Sequence, residues 1–262
     1  MNPPGVTIVT GAGGAGCGRA IARLFAQNGF AVVVNDVNEQ GGRETVELIR
    51  AAGGKAAFHG ADVRDDRQAQ ELVTFARSTF NVVSVLVNNA SSPEPSEEGI
   101  AGWAEALRTD LMGTLYMTRW ASEAVREAGG GSIVNMASIS ALWHGRTSPG
   151  GFPGYDVAKA GIIRLTTGLA ALAERDRIRV NCVAPGWIAT GGALQYWSSL
   201  TPTERVARGV PARLIEPDQV AHLVIRLATD VNLAGRVVIW WSEKRPRLLV
   251  WGDRGYAEYS DY

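Results

Sequence analysis

Several things are scarce in this chain of 262 residues. Cysteine occurs only twice, at Cys17 and Cys182, too seldom for a disulfide framework, and a reducing cytoplasm is the expected setting. Charge of neither sign is in excess: 26 Lys and Arg face 26 Asp and Glu, a formal net charge of +0. With neither a basic block nor an acidic tail, the chain offers no electrostatic footprint for nucleic acid or an anionic membrane, and a small molecule is the expected partner. No apolar run approaches the ~20 residues of a membrane span. Met1-Asn-Pro-Pro-Gly5 runs into Val6-Thr-Ile-Val9 without a charged-then-apolar leader, so a soluble, unprocessed protein is expected. No internal repeat, long linker or metal site is expected either.

What is present is a large apolar fraction, 46%, enough for one sizeable α/β core. Short β-branched runs alternate with longer runs of helical period, the pattern of a parallel sheet with crossover helices. Strands are expected at Val6 to Val9, Ala31 to Asn35, Ala56 to Gly60, Val83 to Val87, Ser132 to Met136, Arg179 to Val183 and Arg236 to Trp241. About seven strands make a Rossmann-type doubly wound sheet, with residues 1–262 as one domain. Ile21, Leu24 and Phe25 mark a buried helix face ending at Asn28-Gly29, and Leu72, Phe75 and Ala76 mark another. Thr201-Pro-Thr-Glu204 reads as a capping box and Pro217 as a helix start, which places a small helical excursion at about 190–215.

Two segments carry chemistry. After the first strand comes Thr10-Gly-Ala-Gly-Gly-Ala-Gly-Cys-Gly18 and then a helix. Glycines let the backbone turn tightly against a pyrophosphate, whose charge is favoured at a helix N-terminus. Asp36, at the end of the second strand, completes a dinucleotide fingerprint. Its carboxylate suits the adenosine ribose hydroxyls, whereas a 2′-phosphate would meet repulsion of about 4 kcal/mol at ~4 Å and an effective dielectric of ~20. No Arg or Lys at 12–15 or at Val37 offsets that, so NAD is expected over NADP. The second segment is Tyr155-Asp-Val-Ala-Lys159, preceded by Ser138. Residues four apart share a helix face, so the phenol and the ammonium point at one bound molecule. A free phenol keeps its proton up to about pH 10, and a nearby cation favours the phenolate.

With the turn, the acidic strand end, Ser138 and the Tyr155/Lys159 pair all in order, the chain resembles the short-chain dehydrogenase/reductase family over essentially its full length. Asp62-Val63 stands where that family touches adenine. Asn88-Asn-Ala90 matches its Asn-Asn-Ala-Gly segment, and Asn181-Cys-Val-Ala-Pro-Gly-Trp-Ile-Ala-Thr190 matches the segment after its sixth strand. The resemblance implies an oxidoreductase moving a hydride between a nicotinamide cofactor and a secondary alcohol or ketone of a small, moderately hydrophobic molecule. Tyr155 would exchange the proton with the substrate oxygen, Ser138 would hydrogen-bond that oxygen, and Lys159 would favour the phenolate and bind the nicotinamide ribose. Cofactor contacts would come from Gly11, Gly14, Gly16, Cys17, Gly18, Asp36, Asp62, Val63, Asn89, Ala90, Tyr155, Lys159, Pro185, Gly186, Ile188 and Thr190. Two other readings share the fold: an isomerase, epimerase or lyase that recycles its cofactor, and a catalytically silent NAD sensor, which would have no need of the Ser138, Tyr155 and Lys159 set.

The departures from the family pattern carry information. The glycine turn is one residue longer than TGxxxGxG, so a local bulge is expected. Ser91 replaces the glycine after Asn-Asn-Ala. Asp110 stands where an asparagine supports a water chain to the lysine, and is counted here among the candidate catalytic residues, either accepting from water or pairing with a nearby cation. Twelve residues, Trp143 to Gly154, form a loop longer than usual before Tyr155; His144 and Arg146 in it, with Trp187, Tyr196 and Trp197 after the sixth strand, are candidate substrate contacts. Beyond Trp241 the chain continues through an apolar run at 246–251 to Tyr256, Tyr259 and Tyr262, an arm of about 242–262. Family members are usually dimers or tetramers, and exposed aromatics favour docking. Deletion after Trp251 is therefore expected to alter assembly size on gel filtration or turnover; a truncated chain unchanged in both would remove the arm from the oligomer.

Overall fold

The computed structural model describes residues 5–92, 99–143 and 151–250. Eight strands form one sheet in the order β3-β2-β1-β4-β5-β6-β7-β8. They are β1 (Val6–Val9), β2 (Ala31–Asn35), β3 (Lys55–His59), β4 (Val83–Asn88), β5 (Gly131–Met136), β6 (Ile178–Pro185), β7 (Val237–Trp240) and β8 (Arg247–Leu248). All neighbours run parallel except β7 and β8. Seven strands fall where the β-branched runs place them. Within the apolar run beyond Trp241, β8 makes a two-residue antiparallel pairing, Val238 opposite Leu248 and Ile239 opposite Arg247.

The helices are α1 (Cys17–Gln27), α2 (Glu39–Ala51), α3 (Asp66–Phe80), α4 (Ile100–Ala106), α5 (Gly113–Glu127), α6 (Pro153–Gly168), α7 (Leu172–Asp176), α8 (Gly191–Ser199), α9 (Pro202–Ala207) and α10 (Pro217–Thr229). One face of the sheet packs against Ile21 and Phe25 of α1, Ile49 of α2 and Val224 and Leu227 of α10; the other packs against Leu72 of α3 and Met117 and Val125 of α5. A third cluster lies beneath α6, where Ile162 meets Ala137, Cys182 and Val237. Full burial of such a side chain stabilises the fold by about 1.5–3 kcal/mol. The turn Asn28-Gly29 ends α1 with Gly29 at φ +84°, and Thr201 and Glu204 form the expected capping box of α9.

Two features of this frame position the site. Strand order reverses between β1 and β4, and in such sheets ligands sit outside the carboxyl ends of the strands at that point. Between α4 and α5 the helix does not keep the α register: Leu107–Met112 forms a π-helical segment carrying Asp110. Such segments mark places where a helix re-aims a side chain. Opposite it, α6 approaches α4 so closely that a Cβ on Gly154 would lie 2.4 Å from the Trp103 carbonyl oxygen.

Candidate active site

The glycine turn is held from three sides. The Thr10 hydroxyl accepts from the amides of Asn89 and Ala90, and the Asn89 amide group donates to the carbonyls of Thr10 and Gly11 at 3.0 and 2.9 Å. Gly13 N–H donates to Asp36 Oδ2 at 2.7 Å, and Asn38 N–H donates to its Oδ1 at 2.9 Å. A Cβ on Gly13 would stand 2.8 Å from Asp36 Cγ, so glycine is what lets the carboxylate reach the turn. The third side was not foreseen from the sequence. The Arg19 guanidinium donates to the carbonyls of Gly13 and Gly41, to Thr45 and to Glu44, clamping the turn to α2. A basic residue one turn into the helix after a glycine loop is the only signal that marks it.

The geometry fits a dinucleotide. Helix α1 begins at Cys17 with no side-chain cap and no acidic residue in its first turn, leaving its N-terminus suited to an anion. Gly11 has φ +65°, and a Cβ there would stand 2.6 Å from Ala90 Cα. Gly18 is equally constrained, its Cβ position 2.1 Å from the Gly11 carbonyl oxygen, while Gly14 faces open space. Thr190, which opens α8 without a capping bond from its hydroxyl, brings its methyl within 3.3 Å of a Cβ placed on Gly16. The segment after β6 therefore reaches the glycine turn, anchored by Gly186 N–H to the Trp240 carbonyl and by the Ile188 bridge to Ile215. The Cys17 thiol is buried in the core and pushed up to about 12 by that burial, so it opens α1 as a neutral group.

Asp62 is more committed than the sequence suggests. Arg64 grips its carboxylate through Nε and Nη2, and that hydrogen bonding holds it below the ordinary carboxylate range. Val63 is buried with its side chain against the first residue of α5, Gly113.

At the other end of the cleft, Ser138 follows β5 and caps a short 3-10 turn, accepting from Ser140 N–H at 3.1 Å. Tyr155 is half-buried in the first turn of α6, its ring 5.9 Å from that of Phe152. Lys159, one turn on, is 3% exposed and its Nζ lies 5.2 Å from the centre of the Tyr155 ring. The ammonium donates to the Met136 carbonyl at 3.0 Å and pairs with Asp110 Oδ1 at 2.6 Å. Of the two roles open to Asp110, the structure shows the ion pair, and the cation is Lys159 itself. Desolvation works to lower the Lys159 pKa, but the Asp110 carboxylate, aided by Tyr155, outweighs it and holds the ammonium above its ordinary value. Cys182, also facing this ammonium, is pushed up to about 12 by burial and stays a thiol.

The aromatic candidates separate. Trp187 stacks on Tyr196 at 5.9 Å, and Trp143 meets Trp241 edge to face at 6.0 Å. Trp197 instead lies under the Arg205 guanidinium, 3.5 Å from its ring centre, and donates to the Pro211 carbonyl, so it braces the excursion internally. His144, Arg146 and the arm beyond Val250 lie outside the described residues. Among the described residues no group of three or more His, Cys, Asp or Glu is placed to hold a metal, and no helix is long and apolar enough to cross a membrane.

Comparison with known proteins fixes the class. A family model described as Enoyl-(Acyl carrier protein) reductase matches residues 11–235. Cyclohexanol dehydrogenase of Acinetobacter sp. (strain SE19) is 36% identical, the match covering 86% of this chain and 88% of that one. Cis-4-hydroxycyclohexanecarboxylate dehydrogenase of Sinomonas cyclohexanicum is 35% identical, over 86% and 89%. L-rhamnose 1-dehydrogenase (NAD(P)(+)) of Azotobacter vinelandii is 36% identical, over 86% and 89%. Among solved structures, a 7 alpha-hydroxysteroid dehydrogenase complexed with NADH and 7-oxo glycochenodeoxycholic acid superposes with a TM-score of 0.77 at 28% identity, covering 89% of this chain and 91% of that one. The chain belongs to the short-chain dehydrogenase/reductase family. It is an NAD(P)-dependent dehydrogenase acting on CH–OH groups of a small molecule.

The buried pair makes a stability prediction. Removing one partner of such a pair leaves an uncompensated charge and costs about 3–5 kcal/mol, whereas replacing both by apolar groups is close to neutral. Lys159→Met is expected to lose that much in urea denaturation, and adding Asp110→Leu to recover most of it; strictly additive losses would refute the coupling. Because the folded Lys159 pKa is raised, its contribution to stability is complete below the ordinary lysine value of 10.5 and is lost as pH climbs through the higher folded value.

Proposed function

We propose that this enzyme interconverts a secondary alcohol and its ketone on a small, moderately hydrophobic ring compound, with NAD as the preferred cofactor and Tyr155 as the acid and base. The observation that carries the reading is the buried Lys159 ammonium held beneath the Tyr155 ring, because a cation there favours the phenolate that accepts the alcohol proton. Ser138 would donate to the same substrate oxygen and stabilise its developing charge. When bound, the nicotinamide supplies hydride chemistry, and the protein orients it. The uncapped N-terminus of α1 and the turn Gly11 to Gly18 would hold its pyrophosphate, Asp36 the adenosine ribose, Asp62 and Val63 the adenine, Asn89 and Ala90 the floor of the cleft, and Pro185 to Thr190 with Lys159 the nicotinamide end.

NAD is favoured over NADP because Asp36 would face the 2′-phosphate, and Arg19, the nearby cation, is already committed to Glu44, Thr45 and two carbonyls. A ring-shaped substrate is favoured by the aromatic pairs Trp187 with Tyr196 and Trp143 with Trp241 and by the relatives named for cyclohexanol and hydroxycyclohexanecarboxylate. The setting proposed is the cytoplasm and the assembly a homodimer or homotetramer.

A panel of alicyclic alcohols, hydroxysteroids and sugars, run with NAD and with NADP and followed by nicotinamide absorbance, tests this reading. The expected result is turnover of alicyclic alcohols with NAD, a loss of ~10²-fold or more in Tyr155→Phe, and a shift toward NADP in Asp36→Ala. Turnover undiminished in Tyr155→Phe, or an NADP preference in the native enzyme, would sink the corresponding part. Product formation with no net absorbance change would instead indicate an isomerase, epimerase or lyase.

Asp110 tempers the pull of Lys159 on the Tyr155 phenolate. Asp110→Asn is expected to retain activity with its pH profile moved to lower pH; a profile coincident with that of the native enzyme would remove Asp110 from the proton chemistry.

A further inference from the structure

One glycine separates a guanidinium from a carboxylate at the cofactor end. Gly13 N–H donates to Asp36 Oδ2 at 2.7 Å, and the Gly13 carbonyl accepts from Arg19 Nη2 at 3.0 Å. A single residue spans at most ~3.6 Å, so the two charged groups lie within about 9 Å of each other. What keeps the guanidinium on its own side of the turn is α2. Glu44 accepts from Nη1 and Nη2 at 3.0 and 3.1 Å, Thr45 Oγ1 accepts from Nε at 3.0 Å, and the Gly41 carbonyl accepts from Nη2 at 3.3 Å. Two such bonds to one carboxylate are among the strongest and most directional that arginine makes. The Arg19 side chain is 15% exposed and that of Glu44 57%, so the cation is inside and its anchor is at the surface. The seat is tightly built: the Thr45 hydroxyl donates to the Ala12 carbonyl at 2.8 Å, and a Cβ on Gly41 would stand 2.1 Å from the Gly13 carbonyl oxygen. Glu39, the carboxylate in the first turn of α2, is engaged by Arg43, which leaves Glu44 to offset the Arg19 charge.

We propose that Glu44 is a second determinant of cofactor choice, holding and neutralising an Arg19 side chain that would otherwise bind the 2′-phosphate of NADP. The proposal rests on the reading of Asp36 as the group that faces this phosphate, and extends it to a residue of α2. Discrimination against a ligand is built by withholding a partner as well as by placing a repulsive group. Asp36 supplies the repulsion and Glu44 withholds the partner. A guanidinium suits a phosphate well, being permanently charged with five donors in a planar fork. In this fold each of its three nitrogens is already occupied, and Nη1 is bonded to Glu44. Removal of the Glu44 charge leaves the positive charge of Arg19 uncompensated at the edge of the turn. NAD carries a neutral hydroxyl where NADP carries the phosphate, and the pyrophosphate is common to both. The ratio of their affinities therefore isolates the effect. Glu44 acts through Arg19 and is a positioning residue.

The test measures equilibrium binding of NAD and of NADP to the full-length, cofactor-free protein by titration calorimetry, with KM for each cofactor as a second readout. Glu44→Gln removes the charge and keeps the shape, and a pair with one partner at the surface contributes little to stability, so the variant should fold as the native chain does. It is expected to improve the Kd of NADP relative to that of NAD roughly tenfold, the size expected of one charge gained about 9 Å from a phosphate at an effective dielectric between ~20 and ~80. At ~1 M salt, where the Debye length is ~3 Å, most of the gain should disappear. In Asp36→Ala the gain should persist and add to that of the aspartate substitution. In an Arg19→Met background Glu44→Gln should move the ratio by less than about twofold, since coupled positions are non-additive. A ratio unmoved by Glu44→Gln, or a shift of full size without Arg19, would overturn the proposal. If the native protein binds NADP more tightly than NAD, the Asp36 reading beneath it falls first; if it prefers NAD and Glu44→Gln changes nothing, only the role of Glu44 falls.

Discussion

The ion pair between Lys159 and Asp110 is the constraint on which the catalytic end of the molecule depends. Both charges are out of water, and taking each there costs several kcal/mol that only close and fully satisfied geometry offsets. That geometry draws on four separate pieces of chain: the first half of α6 for Lys159, the π-helical segment for Asp110, the end of β5 for the Met136 carbonyl, and the loop after β4 for Ser91 and Ser92. None can shift without leaving a buried charge short of a partner. Ser138 lies two residues beyond Met136 and Tyr155 one turn before Lys159, so the contacts that satisfy the ammonium also fix the serine and the tyrosine relative to each other.

The cofactor end is built on different physics, backbone approach rather than buried charge. Gly11, Gly13 and Gly18 let main chain meet main chain or the Asp36 carboxylate at distances that a side chain would forbid, and Arg19 and Asn89 secure the result. The two ends are joined by five residues. Asn88 is buried and donates to Asn135 and Thr118, tying β4 to β5 and α5; Asn89 and Ala90 hold the glycine turn; Ser91 and Ser92 hold Asp110. Residues 88–92 therefore set the distance between the dinucleotide cradle and the proton machinery.

Much of this was legible in the sequence because it is local. The strands announce themselves by β-branched runs, the tight turn by glycines following one strand, the carboxylate that grips it by an acidic residue closing the next, and the shared face of Tyr155 and Lys159 by a four-residue spacing on a helix. What stayed hidden is non-local. Hydrophobic periodicity does not register a single π-helical segment, so the inward aim of Asp110 toward Lys159 could be read from Arg108-Thr-Asp-Leu-Met-Gly113 only through the family resemblance. Ser91 and Asp110 each stood out as a departure, but only the fold makes them one unit across nineteen residues of sequence. Arg19 was hidden for the same reason, since its partners Gly41, Glu44 and Thr45 belong to the next helix. Trp197 looked like a substrate contact on composition, and its fit between Arg205 and Pro211 depends on how α8 and α9 fold back on each other.

The surface proposed for the substrate is mechanically separate from both ends. The excursion after β6 hangs from the region beyond β7: Trp187 N–H donates to Ser242 Oγ, and Ala212 N–H donates to the Glu243 carboxylate. The residues following Trp240 therefore brace the excursion as well as extending the sheet edge through β8. The two aromatic pairs sit on this support, with Tyr196 and Trp241 40% and 36% exposed, and neither pair takes part in the buried contacts around Lys159. Substitutions that reshape this surface leave the Lys159 and Asp110 charges covered. Substitutions of the Asn88, Asn89 or Ser91 side chains, of Asp110 or of Lys159 have no such freedom, because each removes a side-chain partner from these contacts. The aromatic surface and the buried ion pair are thereby free to vary independently in this chain.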